Sequence, residues 1–117
     1  MKLANANRAV VDIRKLRDYC LDPDSPKGRT KARVFAAALG LTQRDAEFLR
    51  TALLAAAREQ DCVPGETDDF GRRYTLDFHL ETAAGRRQIR SGWIVLHGED
   101  FPRLATCYVV TSERRRR

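Results

Sequence analysis

Long apolar runs are what this chain most plainly lacks. No stretch of about 18 apolar residues occurs, so no segment reads as a membrane-spanning helix. The opening MKLANANRAVVDIRK has neither the apolar centre nor the cleavage site of a secretory signal, which points to the cytoplasm unless another route exports the chain as an effector. Cysteine is sparse. Cys20, Cys62 and Cys107 are three, odd in number and far apart, with no C-x-x-C pair, which argues against a disulfide framework and a structural zinc site and for reduced, buried thiols. His79 and His97 are the only two histidines, and the carboxylates fall at no paired ligand spacing, so neither a metal nor another cofactor is expected. G-x-S-x-G, H-E-x-x-H, Walker and G-x-G-x-x-G signatures are missing too, which excludes those families and little else.

What is present suffices for one core. The chain has 117 residues, 43% hydrophobic and 32% charged, which predicts a single α+β domain over 1–113 followed by a basic tail over 114–117. The net charge is +6, and removing the four arginines Arg114 to Arg117 leaves +2. The body stays arginine-rich, and Arg72-Arg73, Arg86-Arg87, Arg90 and Arg103 all fall in the expected sheet region.

Residues 1–10 show no period and read as an extended lead-in, with Val10-Val11 reaching the core. Asp12 is the expected cap of a first helix, with Val11 and Leu16 as a hydrophobic staple and Ile13, Leu16 and Cys20 as its apolar stripe. Two prolines and a glycine between Asp22 and Gly28 end it. A second helix opens at Thr30, sets Ala32, Phe35, Ala36 and Leu39 on one face, and stops at Gly40; Arg29, Lys31 and Arg33 crowd its first turn, against the helix dipole unless an anion binds there. Thr42 to Asp45 resembles a capping box for a third helix along Ala46, Leu49, Leu53 and Ala56. Pro64-Gly65 breaks the pattern. Tyr74, Leu76, Phe78 and Leu80 then alternate with Arg73, Thr75, Asp77 and His79, a strand with one core face. Ile89 to Leu96 is apolar almost throughout, which predicts a central strand or one covered on both faces, with Arg90 opposite to Trp93. His97 to Pro102 forms a turn into a last strand from Leu104 to Val110. The sum is three N-terminal helices packed on a C-terminal antiparallel meander of three to four strands.

A basic and hydroxyl-bearing set surrounds that sheet: Arg73, Thr75 and His79 on one strand, Arg90 on the next, and Arg103, Thr106 and Tyr108 on the last. Metal-free cleavage of RNA needs a base for the 2′-hydroxyl proton, an acid for the leaving oxygen and fixed cations for the growing phosphoryl charge, and these residue types can share the work. Each also has a plainer use: Tyr108 and Trp93 as core aromatics, His97 as a solvated turn residue, Thr106 as a strand former, Arg103 as a surface charge.

The succession Arg8-Ala9-Val10-Val11, Pro26-Lys27-Gly28-Arg29-Thr30-Lys31-Ala32, Phe70-Gly71-Arg72-Arg73-Tyr74, Ile89-Arg90-Ser91-Gly92-Trp93-Ile94 and Pro102-Arg103-Leu104-Ala105-Thr106-Cys107-Tyr108 resembles a family of small bacterial proteins known only as a domain of unknown function. The helices-then-sheet layout, ending in a Thr-x-Tyr strand, is also similar to the barnase, EndoU, colicin and RelE-like group of metal-independent RNase toxins. That resemblance implies a catalytic set of Lys31, Arg90, Thr106, Tyr108 and His97, with Arg29, Arg73 and Arg103 binding nucleic acid. Many members of that group use a histidine on an early helix; Gly28 to Ala32 has none, so Lys31 or His97 would be the base. The expected function is a ribonuclease toxin, with RNA as substrate and an acidic antitoxin or immunity protein as partner, and no membrane association. The alternatives are a noncatalytic nucleic-acid-binding domain and a partner-binding module.

Overall fold

The period-2 stretch from Arg73 to Leu80 and the apolar run from Ile89 to Leu96 pair as a long hairpin, and the rest of the molecule assembles on it. The structure is a computed structural model that describes residues 1–111; the tail expected at Arg114 to Arg117 lies outside the described residues. Helix α1 (Ile13–Lys15) runs into a π-helical turn (Leu16–Cys20), and α2 (Arg29–Leu39) and α3 (Ala46–Glu59) follow. Strands β1 (Val63–Thr67), β2 (Gly71–Thr82), β3 (Gly85–Leu96) and β4 (Arg103–Val109) form one antiparallel sheet in that spatial order. The expected α+β architecture, helices first and meander second, is the one adopted.

The inner face of the sheet buries Leu76, Phe78 and Leu80 of β2, Ile89 and Trp93 of β3, and Leu104, Cys107 and Val109 of β4. Leu16, Phe35, Leu39, Leu49 and Leu53 close the core from the helical side. Ser91 is the buried polar residue within it. Its hydroxyl donates to the Leu76 carbonyl at 2.7 Å and accepts from Trp93 Nε1 at 2.9 Å, so the indole nitrogen is satisfied without leaving the core. The three cysteines are free and buried.

Caps fall where the residues place them. The Asp12 carboxylate accepts from the Arg14 backbone N–H at 3.0 Å, the Asp45 carboxylate accepts from the Thr42 backbone N–H at 2.9 Å, and Gly40 ends α2 with φ +68°. The Arg14 guanidinium clasps Asp12 as well, and these bonds, the side-chain ones foremost, hold its carboxyl down at about 2, against an ordinary 3.8. A carboxyl depressed in the folded state contributes stability that is present above 3.8 and lost as the pH falls toward 2. The Asp12 side chain followed by NMR should therefore titrate near 2, and a midpoint near 3.8 would mean that the cap does not hold in solution.

Two features depart from the sequence expectation, and a third follows one of its two alternatives. Pro64-Gly65 interrupts no strand: both sit within β1, whose five residues are all exposed, because an edge strand tolerates a proline that lacks a donor. The first helix keeps α geometry only over Ile13–Lys15, then widens into the π turn, which brings Leu16 and Cys20 fully into the core and leaves Tyr19 half-buried beside them. Finally, β3 is central, with the helices on one face. On the other face Ile94 is only 7% exposed, flanked by Arg73 on β2 and Arg103 on β4.

Candidate functional site

Register sorts the basic side chains of the sheet. Arg73, Arg90 and Arg103 all project from the outer face, but at two levels: Arg90 lies between Asp77 and Tyr108, while Arg73 and Arg103 flank Ile94. Four residues along β3 separate those levels by about 13 Å. Each arginine meets a carboxylate. Arg90 forks onto Asp77 at 3.0 and 2.9 Å, Arg103 onto Glu99 at 2.8 and 2.9 Å, and Arg73 reaches Asp68 at 2.7 Å. The guanidinium of Arg90 holds the Asp77 carboxyl below its ordinary value, and Asp77 in turn raises Arg90. Arg73, Arg90 and Arg103 thus share a face, but they are spread along it and each is compensated by a carboxylate. Asp77→Asn should leave the melting temperature nearly unchanged, since such a half-exposed pair contributes at most about 1 kcal/mol. It should also delay elution from a phosphate-bearing cation exchanger, because Arg90 loses its neutralising partner; unchanged elution would mean that the outer face does not meet the matrix.

His97 stands apart from Lys31 and Tyr108. It follows the far end of β3, exposed, and its Nε2 bonds the Asp68 carbonyl at 2.8 Å, next to Arg73. Thr106 lies across from Gly92, and its Oγ1 is buried with no hydrogen-bond partner among the described residues, so the hydroxyl is closed to an incoming substrate. Arg29 is exposed in the first turn of α2, and two positions on a helix are not one face, so it does not point with Lys31.

Lys31, Tyr108 and Arg90 do come together. A cleft of about 330 Å³ between α2 and the free edge of β4 is lined by Thr30, Lys31, Val34, Tyr108, Val109 and Thr111. Arg90 supports it from behind, directly across from Tyr108, whose hydroxyl also favours the charged guanidinium. Lys31 Nζ donates to the Tyr19 hydroxyl at 3.0 Å, and that bond raises its pKa, so the ammonium stays protonated through the neutral range. Among the described residues no carboxylate pairs with it. Tyr19 is the residue that the sequence reading passed over. The signal was faint: a tyrosine beside Cys20, off the i, i+3, i+7 stripe, meets Lys31 through its hydroxyl only once the π turn has set it there.

The matching family is shown by a family model described as a domain of unknown function, DUF6883, which covers residues 2–111. The chain belongs to the DUF6883 family. Among curated proteins none matches it. Within this DUF6883 domain no helix of the described residues is long and apolar enough to cross a membrane. Residues 28–32, one part of the succession that resembles the family, open α2, and Thr30 and Lys31 among them line the cleft.

Proposed function

We propose that the DUF6883 domain is a ribonuclease of the metal-independent toxin type, acting on RNA in the cleft between α2 and β4. One observation carries this reading: Lys31 presents an uncompensated ammonium into an open cleft, facing Tyr108, with Arg90 behind. Attack of a 2′-hydroxyl on the adjacent phosphorus forms the O2′–P bond and breaks the P–O5′ bond, leaving a 2′,3′-cyclic phosphate and a 5′-hydroxyl. Charge grows on the nonbridging oxygens, where a fixed ammonium acts without reorganising. Because its pKa is raised, Lys31 serves as cation and proton donor to the leaving oxygen, not as the base. The 2′-hydroxyl proton then leaves through the Tyr108 hydroxyl, between Lys31 and Arg90, to solvent water in the open cleft, and solvent water returns to Lys31 the proton that it gives to O5′. His97, at the other end of β3, takes no part.

The test is a purified chain incubated with total RNA in excess chelator. Fragments ending in 2′,3′-cyclic phosphate are expected, and induced expression should arrest growth unless an acidic protein partner covers the cleft. RNA left intact after long incubation would remove the enzyme reading. The lack of a histidine in the cleft favours one alternative, a noncatalytic RNA-binding domain, which predicts the same salt-dependent retention of RNA without fragments.

A further inference from the structure

A second hollow adjoins the cleft. It measures about 420 Å³ and is lined by Asp12, Arg14, Lys15 and Tyr19. Tyr19 stands between the two, because its hydroxyl is the acceptor for Lys31 of the first cleft while its ring lines the second. The ammonium lies 3.0 Å from the hydroxyl and 5.0 Å from the ring centroid, so it sits at the hydroxyl end and leaves the ring centre clear. Gly28 packs closely on Tyr19, so that a Cβ there would come within 1.9 Å of the Tyr19 carbonyl oxygen and 2.9 Å of its Cδ1. Within the hollow Asp12 and Arg14 neutralise each other, and Lys15, exposed and unpaired among the described residues, supplies the net charge. An aromatic platform thus has an available cation on either side, Lys31 and Lys15.

We propose that this pair of hollows holds consecutive nucleotides of a single-stranded RNA, with one nucleobase stacked on Tyr19 and the two flanking phosphates met by Lys31 and Lys15. Alternation of cations with an aromatic face is the general solution for gripping an unpaired strand, because every base offers a π-face while a duplex keeps its bases stacked inward. The proposal rests on the reading of the Lys31 cleft as an RNA site and adds to it the strandedness of the substrate and a base-stacking residue, Tyr19. The π turn has a use here: it sets Tyr19 between the cleft and the hollow while Leu16 and Cys20 stay in the core.

Fluorescence anisotropy with a labelled single-stranded oligoribonucleotide and its duplex tests this on the full chain. Tyr19→Leu should weaken single-strand binding by about ten- to a hundredfold, and Tyr19→Phe, which keeps the ring and loses the hydroxyl, should stay within about twofold of the parent. Lys15→Ala should reduce the slope of log affinity against log salt by about 0.7. Since Tyr19→Leu could disturb the π turn, Tyr19→Trp is the second arm: a larger ring should hold or tighten the single strand. Equal affinities for Tyr19→Leu, Tyr19→Phe and Tyr19→Trp, or a parent protein that binds duplex as tightly as single strand, would overturn the stacking role. If Lys31→Ala abolished binding while the Tyr19 series was flat, the cleft would stand as an RNA site and only this inference would fall. A parent chain that neither retains nor cuts RNA would remove both.

Discussion

Lys31→Ala should reduce RNA cleavage by about a hundred- to a thousandfold, the usual cost of deleting one preorganised group that meets developing oxyanion charge. The fold should not change, since Lys31 is half-exposed and its polar partner is another side-chain hydroxyl, that of Tyr19. The loss should fall on kcat more than on KM, because a phosphate in the ground state still finds Thr30 and Tyr108 in the cleft. Lys31→Arg is the instructive comparison. It restores charge, but as a broad planar fork in place of a compact ammonium, and should recover binding more fully than turnover. Wild-type turnover in the Lys31→Ala protein, assayed with chelator present, would locate the chemistry elsewhere.

Trp93→Ala should lower stability by about 3–5 kcal/mol, enough to leave a domain of this size near or beyond its unfolding threshold at physiological temperature. Trp93 is 1% exposed on the central strand, and its removal both opens a cavity at the middle of the core and strips the Ser91 hydroxyl of a donor. Urea titration followed by circular dichroism measures the loss directly. Trp93→Phe separates the two contributions: it keeps most of the ring volume, forfeits the indole hydrogen bond, and should cost well under half as much. A Trp93→Ala protein that melted within a degree or two of the parent would contradict the packing described for β3.

How much of this could be read from residues alone differs by element. Phe35 and Leu39 lie one turn apart on the same face of a helix that begins and ends near recognisable signals, and Gly40 adopts the left-handed conformation that stops it. The strand around Tyr74 to Leu80 announced itself by strict alternation, and Arg90 opposite to Trp93 followed from period alone. Edge context was invisible: nothing local tells that Pro64 sits where no donor is needed. The widened turn at Leu16–Cys20 was equally hidden, because an i, i+3, i+7 stripe fits an ordinary helix just as well. For the candidate site, residue types and strands were legible, and Lys31 with Tyr108 did meet. The pairing of Arg73, Arg90 and Arg103 with Asp68, Asp77 and Glu99 was not, since which carboxylate lies beside which guanidinium is decided by register and loop geometry rather than by sequence distance. His97 was drawn in by its chemistry and left out by its position.

The first ten residues touch both margins of the sheet. Lys2 bridges Asp61 just before β1, Cys62 donates to the Met1 carbonyl at 2.6 Å, and Val10 bridges Arg103 at the start of β4, with Leu104 N–H donating to the Val10 carbonyl at 2.9 Å. This lead-in works as a girth strap whose second buckle is β4, the strand that follows all the others of this domain in the chain. A ribosome-bound chain therefore cannot fasten it until β4 has emerged, and the cleft beside α2, one wall of which is β4 itself, is completed only when translation has passed that strand.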